Sequence, residues 1–93
     1  MARNAGFLLR NIPQARARAS AHLSSAVRLA REIGAKGVLG QALTDLGRLQ
    51  RAVGDESEAT VTLSEAVTVL ESIAATGPLQ DARWALEEAG IGA

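Results

Sequence analysis

The sequence predicts an all-α fold, with antiparallel helical hairpins stacked into a short array of about five helices. Three observations predict it. Apolar residues recur at three- and four-residue steps along most of the chain, which is the signature of one buried helical face. Glycine stands just after two of those runs, where a left-handed residue ends a helix. The pattern also repeats itself at a spacing of forty residues, the length of two helices and their turns. Ninety-three residues allow one small domain.

The first element is a short helix over about Arg3–Asn11, followed by the apolar Ile12 and by Pro13. Proline fits the first turn of the next helix, where its missing N–H has no partner to lose. From Gln14 to Ile33 the residues Ala15, Ala19, Leu23, Ala26, Val27, Ala30 and Ile33 form one stripe, and Gly34 stops it. Val38 to Val53 repeats the pattern through Leu39, Ala42, Leu43, Leu46 and Leu49, and Gly54 ends it. Asp55 with Glu58 three residues on is a capping box that opens the following helix. That helix carries Ala59, Leu63, Ala66, Val67, Leu70 and Ile73. Its β-branched run over 60–70 is a local argument for a strand, and the helical period sustained for some twenty residues overrides it. Thr76-Gly77-Pro78 reads as a further break. A last short helix over Leu79 to about Ala89 follows, with Gly90 and Gly92 as breakers.

The forty-residue repeat pairs Ala19, Leu23 and Ala26 with Ala59, Leu63 and Ala66, and Gly37, Ala42 and Leu46 with Gly77, Ala82 and Leu86. Each such hairpin cannot bury its apolar face alone and needs a stacked neighbour. The unit from Gly40 to Glu71 resembles a tetratricopeptide repeat. Leu43 stands at the family's tryptophan or leucine position, Leu46-Gly47 at its Leu-Gly pair and Gly54-Asp55 at its turn. Ala59, Leu63 and Ala66 stand at its small-large-small signature. Gln50 and Glu71 depart from the family's tyrosine and proline. The run Ala30–Ala42 is similar to the C-terminal repeats of bacterial adenylate/guanylate cyclases that carry an ATPase-like region. The resemblance divides the single domain into a degenerate first hairpin at 1–36, a best-matching repeat at 37–75, and a partial repeat or closing helix at 76–93. It implies a TPR-like solenoid and a bacterial signalling context, as the regulatory part of a larger protein or a fragment of one.

The composition narrows the chemistry. The chain has no cysteine and one histidine, which leaves almost no donors for a metal site and none for a thiolate nucleophile. His22 lies among Ser20, Ser24 and Ser25, but Ser20 and Ser24, two residues away, point in other directions and no oxyanion-hole loop is visible, so no nucleophile–base catalysis is expected. Gly34-Ala35-Lys36-Gly37 lacks the strand and the Gly-Lys-Ser/Thr ending of a phosphate loop. Glu87 and Glu88 splay around a helix. The expectation is a protein without enzymatic activity, metal or cofactor. No apolar run nears the ~20 residues that span a bilayer. The stretch before Glu32 holds six arginines and no acid, like a transit peptide, but the repeat runs through it and it is read as folded helix. The expected location is cytoplasmic.

Ten basic side chains balance ten acidic ones, but unevenly. Residues 1–53 carry nine basic and two acidic side chains, net +7, and residues 54–93 carry one basic and eight acidic, net −7. Arg16, Arg18, Arg28 and Arg31 make RNA or DNA binding the alternative function, but no aromatic residue interleaves them to stack bases. The resemblance implies a protein or peptide partner held in a concave groove. Carried onto matching positions, the groove residues are Gln41, Thr44, Arg48 and Arg51, then Asp81, Trp84 and Glu88. Trp84 lies off the apolar stripe and is an anchor candidate. Thr44, Asp45 and Arg48 occupy the places where a chaperone-binding subgroup clamps a carboxylate, so that ligand is not expected. Phe7, Leu8, Leu9 and Ile12 give an apolar N-terminal face for self-association. The charge split implies a basic end and an acidic end able to meet head to tail.

Overall fold

The computed structural model describes residues 13–92, and the expected first helix and the Phe7–Ile12 face lie outside them. The described residues are all-helical: α1 Pro13–Ile33, α2 Lys36–Ala52, α3 Glu56–Ser72 and α4 Thr76–Gly92. The β-branched run at 60–70 is helical within α3, and Thr60 and Thr68 return their hydroxyls to carbonyls four residues back.

Three helices end in the same way. The N–H of Ala35 donates to Ala30 O and that of Gly34 to Arg31 O. The pairs Asp55–Gln50 and Gly54–Arg51, then Ala75–Leu70 and Ala74–Glu71, repeat this pattern. Each is a Schellman motif, which satisfies the last carbonyls of a helix by turning one residue left-handed. Gly34 (φ 73°) and Gly54 (φ 89°) take that role as the sequence predicts, but the third is Ala74 (φ 53°). The break is therefore made ahead of Thr76-Gly77-Pro78, and those residues form the first turn of α4. A first-turn proline leaves no bond unmade, because helix N-termini have unpaired N–H groups anyway. α4 also runs past Gly90 to Gly92, so it is a full helix rather than a short closing one. α2 likewise begins at Lys36, two residues before the expected start. Asp55 accepts from the Glu58 N–H at 3.4 Å, and Glu56 and Glu58 place negative charge at the positive end of α3.

Each helix packs against the one before it, α2 also touches α4, and α1 and α4 share no contact. The closest approach joins α2 to α3. A Cβ on Gly40 would fall 2.4 Å from Leu70, and one on Gly47 2.4 Å from Leu63. The partner numbers fall as the α2 numbers rise, so the two helices run antiparallel. Arg48 with Asp81 and Arg51 with Glu88 rise together, so α2 and α4 run parallel. Leu63, Leu70, Ala59, Ala66 and Ala82 are fully buried. The main core gathers Val27, Ala30, Leu39, Ala42, Leu43 and Leu46 around Ala66 and Leu70. Gln50, at the family's tyrosine position, holds a buried Oε1 without a hydrogen-bond partner.

Gly47→Ala should destabilise the chain by about 1–3 kcal/mol in denaturant titration, despite alanine's better helix propensity, because the new methyl overpacks Leu63. In a Leu63→Ala background that penalty should disappear. Ala74→Gly should raise stability by about 0.5–1 kcal/mol. It removes a left-handed cost of roughly 1–2 kcal/mol, partly offset by the unfolded-chain entropy of glycine.

Candidate functional site

Where α4 lies alongside α2 and α3, the three helices leave a cleft of about 250 Å³ lined by Arg48, Arg51, Leu63, Ala85 and Glu88. Leu63 and Ala85 form its apolar floor in a small cluster joined by Leu86. The floor follows from the packing: Gly47 admits Leu63 toward α2, and Ala85 is small enough to let α4 settle beside it. The rim is charged. Arg48 pairs with Asp81, and Arg51 lies 4.0 Å from Glu88. The hydrogen bond to Asp81 raises the Arg48 pKa above its ordinary value, with desolvation opposing and nearby carboxylates adding to the rise, so the guanidinium stays charged.

Four of the seven predicted groove residues thus come together: Arg48, Arg51, Asp81 and Glu88. Gln41 is exposed on α2 but does not line the cleft, and neither does Trp84, which is 64% exposed on α4. Thr44 is a correction. It is 1% exposed, and its hydroxyl donates to Gly40 O at 2.9 Å. The sequence places Thr44 opposite Leu43 and Leu46 and hence outward, but it lies between Gly40 and Gly47, on the flank of α2 that α3 packs against. Leu63 and Ala85 were missed because a floor shared by two helices has no local signal.

Two further ion pairs lie outside the cleft. Arg31 of α1 donates to both carboxylate oxygens of Glu65, at 2.5 and 3.3 Å, and Arg83 donates to Glu71 at 2.7 Å. The bond to Glu65 raises the Arg31 pKa, with its charge adding to the rise and desolvation opposing it. Of the arginines behind the nucleic-acid alternative, Arg31 is thereby committed to an internal partner. His22 is exposed on α1. Gly34-Ala35 form the turn between α1 and α2, and Lys36-Gly37 open α2. Among the described residues no group of three or more His, Cys, Asp or Glu could hold a metal ion. Also among them, no helix is long and apolar enough to cross a membrane.

Arg48→Ala and Asp81→Ala should each cost less than about 1 kcal/mol in thermal or denaturant unfolding. Both side chains keep about two-fifths of their surface in water, 43% and 42%, and solvent screens such pairs. A loss well above that would make the pair a structural strut rather than an available rim. Comparison with protein-family models, with curated proteins and with solved structures gave no match to this chain.

Proposed function

We propose that the chain is a short solenoid of the tetratricopeptide kind and serves as a protein–protein interaction module. In this reading it has no chemistry of its own and acts as a regulatory part of a larger signalling protein. One observation carries the reading: two parallel helices hold Arg48 and Arg51, with Asp81 and Glu88, over an apolar floor of Leu63 and Ala85. Charges of both signs around a cleft with a closed apolar floor suit an extended peptide segment carrying an apolar side chain flanked by an acid. The acid would exchange with Asp81 or Glu88 for an arginine, and the apolar side chain would lie in the cleft against the aliphatic stems of Arg48 and Arg51. The helices fix these groups in advance, which lowers the ordering cost of binding.

The test is selection of peptides from a displayed library by the chain and by a charge-swapped double variant, Arg48→Glu with Asp81→Arg. The swap keeps the pair and reverses the rim. The parent should enrich peptides pairing an acidic with an apolar residue, and the swapped variant should lose them while melting at a similar temperature. Enrichment of the same peptides by both, or of none by the parent, would refute the groove reading.

A further inference from the structure

The forty-residue step is a physical correspondence between helices. α2 and α4 are each 17 residues long and begin forty residues apart. The turns at Gly34 and Ala74 match in φ and in hydrogen bonds, so α1 corresponds to α3 as α2 does to α4. The tightest pair in the molecule is α2 with α3. Under the correspondence, and among the described residues, α4 is an α2 without its α3, and α1 is an α3 without its α2. Burial bears this out. Gly40, Leu43, Thr44 and Gly47 are buried on α2, whereas their counterparts Gln80, Arg83, Trp84 and Glu87 are all exposed on α4. Ala59, Leu63 and Ala66 are fully buried on α3, whereas Ala19, Leu23 and Ala26 are only half-buried on α1. Ile73 is 40% exposed and reaches to 3.9 Å of the Gly37 Cβ position, whereas its counterpart Ile33 is 69% exposed and Gly77 has nothing within 4 Å.

We propose that α1 of a second copy of this chain docks on α4, completing at the junction the helix pair that α2 and α3 form within one chain. This goes beyond the groove reading and uses a different surface, the flank of α4 carrying Gln80, Trp84 and Glu87. Charge selects the partner. Outside the internal ion pairs, α1 keeps Arg16, Arg18 and Arg28 against Glu32, and α4 keeps Glu87, so a net +2 surface meets a net −1 surface. Inside the chain α2 and α3 are also opposite in sign. Ile33 of the incoming copy would seat at Gly77 as Ile73 seats at Gly37. Glutamine and glutamate in place of the two glycines keep the junction wider than the α2–α3 contact, which makes it reversible. Each copy has one front and one rear, so the contact is heterologous and the assembly grows by addition.

The test is sedimentation of the 93-residue chain over a concentration series at low and high salt, with the emission of Trp84, its one tryptophan. The weight-average mass should climb past that of a dimer and fall back in high salt. Trp84 emission should shift to the blue in step with the mass. Ile33→Glu blocks the front and Trp84→Glu blocks the rear, both at exposed positions. Glu87→Lys and Arg28→Glu form a second pair should circular dichroism show either variant unfolded. Each variant alone should stay monomeric, and an equimolar mixture should stop at one-to-one pairs with a blue-shifted Trp84 on the Ile33→Glu partner. A chain that stays monomeric to hundreds of micromolar overturns the proposal, as when its own first twelve residues cover α1. So does a homodimer of either variant, which means a symmetric contact. Mass growth without a Trp84 shift also overturns it, since the contact then lies elsewhere.

Discussion

The close approach of α2 and α3 at Gly40 and Gly47 is the constraint on which the rest of the structure depends. The two glycines are seven residues apart, two turns along one face, and each receives a leucine whose own spacing is also seven. With both leucines out of water, each contributes roughly 1.5–3 kcal/mol of burial. No exposed ion pair in the molecule rivals that, since such pairs contribute about 0–1 kcal/mol. The depth of this contact sets where Leu63 stands, and Leu63 is also the floor of the cleft beneath Arg48 and Arg51. A fold contact and a surface feature therefore share one side chain.

The ion pairs set direction rather than strength. Among the described residues, Arg31–Glu65, Arg48–Asp81 and Arg51–Glu88 each run from the basic first half of the chain to the acidic second half, and only Arg83–Glu71 stays within one half. The zero net charge is thus a sum over two surfaces that face each other in part across the helix layers. Among the described residues outside these pairs, Arg16, Arg18 and Arg28 stand on α1 and Glu56, Glu58 and Glu87 on α3 and α4, with Glu32, Lys36 and Asp45 breaking the pattern.

Much of the fold was legible in local chemistry. Gly34 and Gly54 announce left-handed stops, Asp55 announces a helix start, and Ala59, Leu63 and Ala66 announce a buried face. The third stop was not legible, because alanine at 74 carries no left-handed signature, so the break was read into the nearby Thr76-Gly77-Pro78. Gly47 was legible as a small packing residue, but Gly40 was not, since its partner Leu70 lies thirty residues away. The site divided along the same line. Charged residues at helical spacing could be placed on a face from sequence, whereas the burial of Thr44 and the pairing of Leu63 with Ala85 depend on helices meeting from afar.

That α1 and α4 never touch also bears on how the chain reaches its fold. Apart from α2 with α4, the packed helix pairs are neighbours in sequence, so most loops closed during folding are short and their entropy cost is small. The α2–α3 pair is the one with a further helix packed on each side. With a neighbour packed on fewer sides, α1 and α4 have fewer contacts to lose on opening than the central pair, so the free energy of local opening should be lowest at the two ends.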